Sequence, residues 1–324
     1  VGAWLLRRLA LAVATALAVV VLTFTLTRLA PGEPMLGEPE RWRADPEALA
    51  LQRAAWGLDR PLPEQLARYA GNLLRGDLGE SYVSRRPVAA VLADALPNTL
   101  LLGAAALLIS FAVGIAVGVA QAARRGTAAD TALAAVSLTL YSTPAFWLGL
   151  LLLLVFGQWL GWLPVGGMTD PALHEFMPPL GRALDVLEHL VLPAVSLGLV
   201  HAAAVARFQR GALVDALAAE FVRAARSRGL SERRVLVAHA LRSALAPTAV
   251  LAGLSVPALV TGAVLVESVF GWPGMGRVTY DAVFARDYNV VTGAALVAGL
   301  MVAAGNLVAD LVVAFLDPRL PERA

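Results

Sequence analysis

Cysteine is absent from all 324 residues of this chain, which excludes disulfides, thiolate nucleophiles and thiolate metal sites. Lysine is missing too: all 26 basic residues are arginine. That removes the Gly-x-x-x-x-Gly-Lys phosphate loop and Schiff-base chemistry on a lysine amine. Charge of either sign is scarce, at 15% of residues against 58% hydrophobic, the composition of a polytopic membrane protein rather than a soluble one. The net charge is only +2, so the excess of arginine over acid gives no reason to expect a nucleic-acid partner. There is no His-Glu-x-x-His and no Gly-x-Ser-x-Gly, so a membrane hydrolase has no visible machinery. His201 stands alone in an apolar stretch with no second ligand at metal spacing, and neither metal nor cofactor is expected.

What the chain does have is long apolar runs. Charge-free stretches occupy Leu9–Thr27, Ala95–Ala123, Thr131–Thr169, Ser243–Val266 and Tyr288–Ala309, and a shorter one, Leu190–Ala206, carries one histidine. A spanning helix needs roughly 20 such residues. The first run follows Arg7 and Arg8 but lacks a small-x-small cleavage site before Pro31, so it reads as a spanning helix rather than a signal peptide. The third is too long for one span; Pro144 predicts a kink, and Trp159–Gly167 reads as interfacial loop. The expected fold is therefore all-α, with six transmembrane helices.

Arginine placement orients them. Arg7 and Arg8, Arg124 and Arg125, the loop Arg207–Arg242, and Arg319 and Arg323 share one side. That loop has eight arginines against three acids, whereas Asp170–Glu188 on the other side has one arginine against four acids. By the positive-inside rule both termini are cytoplasmic. The expected organisation is an N-terminus and first helix (1–30), an extracytoplasmic helical insertion (31–97), a membrane core with helices two to six (98–318) and a cytoplasmic tail (319–324). In the insertion, Asp45 is an N-cap candidate followed by Pro46 and Glu47, with Gly57 past the helix end; Pro63–Leu74 and Pro87–Leu96 read as two further helices.

The segment Asp215–Pro247 is the most informative. From Leu213 to Arg228, at 100° per residue, Val214, Leu217, Ala218, Phe221 and Ala225 fall on one face, opposite Asp215, Arg223 and Arg226. Gly229 ends this amphipathic helix, and Ser231 caps the next, with Glu232 in its first turn. Two uses fit such an element: a surface helix on anionic headgroups, or a docking element for a cytoplasmic partner.

Arg223-Ala-Ala-Arg-Ser-Arg-Gly229, followed by His239-Ala-Leu241, resembles the Glu-Ala-Ala-x-x-x-Gly loop of ABC importer permeases. The stretch Phe221–Val235 is similar to the dipeptide/oligopeptide/nickel branch in particular. Leu58-Asp-Arg-Pro-Leu-Pro63, Gly76-Asp-Leu-Gly79, Leu96-Pro-Asn-Thr99, Glu267-Ser-Val-Phe-Gly-Trp-Pro-Gly-Met-Gly276 and Asp317-Pro-Arg319 stand in family order, so the resemblance spans nearly the whole chain. The insertion after the first span resembles the first of the two permeases of such systems. Arg223 replaces the glutamate of the general motif and Arg242 its terminal proline, both in keeping with the peptide branch, while Ser243 stands where asparagine is expected. The resemblance implies a permease subunit of a bacterial or archaeal cytoplasmic (inner) membrane, itself no enzyme. Its implied partners are a second homologous permease, two ABC ATPase subunits, an extracytoplasmic solute-binding protein and the lipid bilayer. The ATPase-coupling residues would be Glu220, Phe221, Arg223, Ala224, Ala225, Arg226, Gly229, Leu230, Ser231, Arg234 and His239.

A second candidate region, an outer gate or pathway, comprises Glu267, Trp272, Pro273, Gly274 and Pro257; for each, an ordinary interfacial or turn role is the competing reading. Asn306 and Asp310 share a helix face as candidate interhelical glue, and Gly114-x-x-x-Gly118 permits close helix packing. The rival functions are a stand-alone secondary transporter, disfavoured by nearly charge-free spans, and a membrane scaffold or receptor that recruits a cytoplasmic partner.

Overall fold

The computed structural model describes residues 2–30, 46–255 and 263–316. Among them every regular element is helical, and the one bridging backbone pair is Glu80 with Pro87. The helices are α1 (Gly2–Leu29), α2 (Pro46–Ala55), α3 (Leu62–Leu73), α4 (Val88–Ala123), α5 (Ala128–Ser142), α6 (Ala145–Trp159), α7 (Pro179–Ala218), α8 (Glu220–Ser227), α9 (Glu232–Ser255), α10 (Val264–Phe270), α11 (Met275–Phe284) and α12 (Tyr288–Leu316). Four are long and apolar enough to cross a membrane: α4, α7, α9 and the Tyr288–Ala309 part of α12. The α5–α6 pair qualifies only jointly, and the two are bent by 103° at the break. Val13–Leu29 of α1 forms a shorter apolar helical stretch.

Two compact units make up the chain. The first comprises the described residues of Val1–Thr99 and Pro273–Ala303. Its small core sets Val20 and Phe24 of α1 against Tyr69 of α3, with Leu66, Leu73 and Leu296 packed around them. The Leu96-Pro-Asn-Thr99 motif has a structural use here. The Asn98 amide donates to the Pro273 carbonyl at 2.9 Å, and the Met275 N–H donates to the buried Thr99 hydroxyl at 2.7 Å.

The second unit comprises the described residues of Leu100–Trp272 and Ala304–Ala324. Its packing centres on α7, against which α5, α6 and α9 lie and which α4 crosses closely. A Cβ on Gly114 would lie 2.6 Å from the Val205 Cβ, and one on Gly118 2.6 Å from the Ala206 carbonyl, so the small-xxx-small spacing is a close helix crossing. Two polar ties flank it. Arg210 of α7 donates bidentately to Asp130 of α5, at 3.0 and 2.8 Å. The Thr248 hydroxyl of α9 donates to the Gln209 side-chain carbonyl of α7 at 2.6 Å, both residues being buried.

Several boundaries differ from expectation. Pro87–Leu96 is not a separate helix but the first part of α4, which continues through Pro97. Pro97 cannot donate to the Ala93 carbonyl, and Ala93 is exposed, so solvent can satisfy the freed group and the helix survives. Pro144 does more than kink the third run: it sits in extended conformation before α6 and separates two helices. Gly57 follows the end of α2 at φ +65° as expected, whereas Asp45, Pro257 and Asp317–Arg319 lie outside the described residues.

Candidate functional site

The arginine-rich segment folds as a short helix held between two long ones. The single amphipathic helix expected over Leu213–Arg228 is broken: α7 ends at Ala218, Ala219 is extended (φ −69°, ψ 155°), and α8 restarts at Glu220. The Ala219 carbonyl accepts from the N–H groups of Val222 and Arg223, which opens the new helix. The break resets the helical phase. Val222 and Ala225 are buried, while Phe221, expected on the apolar face with Ala225, is 45% exposed.

The inner face of α8 is well seated. Val222 and Ala225 join Ala122 at the end of α4, Leu213 and Ala216 of α7, and Val235, Ala240 and Ala244 of α9 in one buried cluster. Its outer face carries Glu220, Phe221, Arg223, Ala224 and Arg226, all exposed, and Arg228 follows. The helix ends as expected. Gly229 takes φ +75°; its N–H donates to the Arg226 carbonyl at 2.9 Å and the Leu230 N–H reaches the Ala225 carbonyl at 3.4 Å. This is a Schellman closure, and Leu230 packs on the same buried cluster as Ala225.

Ser231 holds the N-cap backbone conformation of α9 (φ −63°, ψ 146°), and its carbonyl accepts from the Val235 N–H, but its side chain makes no capping hydrogen bond. Glu232, in the first turn of α9, is engaged by another side chain. Arg226 donates to Glu232 through Nε and Nη2, at 2.9 and 3.1 Å, across the glycine turn. The Glu232 carboxylate holds the Arg226 guanidinium above its ordinary pKa. This fork joins the last turn of α8 to the first turn of α9, a pairing the sequence reading did not make. Arg223 pairs with Glu220 along α8. Arg234 is exposed, and His239 lies half-buried in a π-helical turn, Val235–Ala240, within α9.

The glutamate-to-glycine region separates into pieces. Glu267 and Trp272 are fully buried in the second unit, and Trp272 belongs to its core with Leu102, Leu190 and Phe270, so it is not an interfacial surface residue. Gly271, at φ +64°, closes α10, with the Trp272 N–H donating to the Glu267 carbonyl at 2.9 Å. Pro273 and Gly274 belong to the first unit, where Gly274 caps α11. Asn306 is exposed on α12, and the side chain of Asp310 lies outside what is described.

One cluster escaped the sequence reading. Asp185 of α7 is buried, accepts from the Asp170 N–H and from His174 Nδ1 at 2.6 Å, and lies 3.2 Å from His189 Nδ1. Only the i,i+4 spacing of Asp185 and His189 on one helix hinted at it. His201 Nδ1 donates to the Leu197 carbonyl of its own helix at 2.9 Å, and no group of three or more residues able to hold a metal occurs among the described residues.

Comparison with known proteins adds the following. Residues 112–321 match the family model described as binding-protein-dependent transport system inner membrane component, and residues 2–103 match its N-terminal companion. The di/tripeptide transport system permease protein DppB of Pseudomonas aeruginosa is 40% identical, covering 98% of both chains. The oligopeptide transport system permease protein AppB of Bacillus subtilis is 34% identical, covering 99% of both. The glutathione transport system permease protein GsiC of Salmonella paratyphi A is 37% identical over 97% of both.

Proposed function

Because this chain belongs to the family of binding-protein-dependent transport system inner membrane components, we propose that α8 and the glycine turn after it are the surface on which a cytoplasmic ATPase docks. The chain is a multi-pass permease subunit of an ABC importer. In our reading it pairs with a second, homologous permease around a shared pathway for di- or oligopeptides or a similar small solute, delivered by an extracytoplasmic binding protein. ATP is hydrolysed in two separate subunits, and this chain performs no chemistry of its own. Six spans with both termini in the cytoplasm, an outer insertion over 31–97 and a core over 98–318 complete the reading.

The observation that carries it is the exposed outer face of α8, where Phe221 projects among Arg223, Arg226 and Arg228 on a helix whose inner face is locked to three others. A rigid, seated element can pass a displacement from the ATPase to α7 and α9, because nucleotide-dependent contacts at its outer face would favour one arrangement of those helices over another. A mobile loop could not.

Charge reversal tests it. Replacing Arg223, Arg226 and Arg228 together by glutamate is expected to abolish co-purification of the ATPase subunits, leaving the permease in the membrane. Undiminished co-purification would instead favour a helix that rests on anionic lipid.

A further inference from the structure

The first unit contains a polar pocket that the transport reading does not use. It has a volume of about 370 Å³, within the range of small-molecule sites, and four arginines line it: Arg28, Arg60, Arg68 and Arg85. Glu80 is the one acidic residue in its lining. Arg60 and Arg68 both pair with Glu64. Among the described residues neither Arg28 nor Arg85 has a carboxylate partner.

Arg28 is the unusual one. It stands in the last turn of α1, its Nε donates to the Gln65 side chain at 2.9 Å, and its guanidinium lies 3.5 Å from the Phe24 ring centroid. Among the described residues its Nη1 is buried without a hydrogen-bond partner, and so is the neighbouring Tyr69 hydroxyl. A desolvated guanidinium with an unfilled donor is costly unless an anion completes it. Burial pushes the phenols of Tyr69 and Tyr82 up to about 12, so neither supplies that negative charge at neutral pH. Across the pocket Arg85 adopts φ +57° and lies 5.3 Å from the Trp56 ring, which stacks on Tyr82 at 4.4 Å.

Depth selects the anion. Leu11, Leu17, Leu22 and Leu26 of α1 are all more than half exposed, an apolar surface suited to acyl chains, and Arg28 closes the same helix. The end of a span, beside Trp and Tyr, is headgroup level. A forked guanidinium is the side chain best matched to a phosphate. We propose that this pocket binds the phosphate of an anionic phospholipid, with Arg28 at its base and Arg85 at its rim. The proposal is independent of how α8 couples to an ATPase.

The test is native mass spectrometry of the full-length chain in mixed micelles holding equal phosphatidylglycerol and phosphatidylcholine. Retention of phosphatidylglycerol over phosphatidylcholine is expected, falling about tenfold in Arg28→Gln, with loss of a charge-assisted fork. Arg75→Gln, a surface arginine of the same unit outside the pocket, should match the parent. Should Arg28→Gln fail to accumulate, Arg85→Ala reads the same site from its exposed rim and should lower retention severalfold. Excess inorganic phosphate should leave the lipid bound. Equal retention of the two lipids, indifference to both pocket variants, or displacement of the lipid by inorganic phosphate would each overturn the proposal.

Discussion

At Gly229 a backbone requirement falls within the proposed docking turn. The residue holds φ +75°, and nothing lies within 4 Å of where its Cβ would stand. A substitution there is therefore opposed by backbone conformation and not by packing. A non-glycine residue in this region costs about 1–2 kcal/mol, more when β-branched, which is roughly a 5- to 30-fold shift in the population of the closed turn. Gly229→Val is expected to lower solute uptake by about that factor while the chain still reaches the membrane; Gly229→Asn, which tolerates the left-handed region, should recover most of it. Uptake assays beside an immunoblot of membrane fractions decide this, and normal uptake by the valine variant would mean that coupling does not depend on the Gly229 turn. Arg226 and Glu232 reinforce the same turn by a fork that spans six residues. That spacing lies outside the i,i+3 and i,i+4 pairs readable along a single helix, so only the turn's geometry reveals it.

For α8 as an element, the two neighbours Phe221 and Val222 have opposite duties. Val222 is fully buried on the seat, and Phe221 is 45% exposed on the outer face. Val222→Asp places a carboxylate in the cluster formed with α4, α7 and α9, and should reduce the amount of folded permease recovered in detergent. Phe221→Ala should leave recovery and thermal stability within about 0.5 kcal/mol of the parent, as surface changes do, but weaken ATPase binding severalfold. Size-exclusion profiles of the permease alone and pull-down of the ATPase separate the two, and equal behaviour of both variants would mean that the outer face is not a docking surface. The sequence pattern expects Phe221 on the apolar face and makes no assignment for Val222, and the reason Phe221 turns outward is local. Gly229 and Pro144 announce their breaks by residue type. Ala219 is a strong helix former with no such signal, and the chain turns there because tertiary packing on α4 and α9 outweighs propensity. Once Ala219 leaves the helix, Phe221 turns outward, while Ala225 stays buried and Arg223 and Arg226 stay exposed. Pro97 shows the converse: a breaker by type that α4 runs through, Ala93, whose carbonyl it frees, being exposed. Apolar runs, turn glycines and the ordered motifs were thus readable, whereas the Asp185 cluster and the arginine pocket depend on residues that only folding brings together.

Across the whole molecule, the orientation of the spans decides whether α8 can meet a cytoplasmic partner at all. In our reading the loop Arg207–Arg242, with eight arginines, lies inside, and Asp170–Glu188, with one, lies outside. These assignments are linked, because α7 is one continuous helix joining the two regions, with Glu188 near one end and Arg210 near the other. One apolar helix cannot present both ends to the same side. The absence of cysteine makes the question directly measurable, since any thiol introduced is the only one in the chain. Ser227→Cys puts it on the exposed side of α8, next to the proposed docking face, and Glu175→Cys puts it in the exposed turn before α7. A membrane-impermeant maleimide added to intact spheroplasts should label the Glu175→Cys protein and spare the Ser227→Cys protein; in inverted membrane vesicles the pattern should exchange. Labelling of both from one side would mean that α7 does not cross the bilayer. The opposite pattern, with Ser227→Cys reactive from outside, would keep the span but turn the molecule over, and α8 would then face the wrong compartment to bind an ATPase.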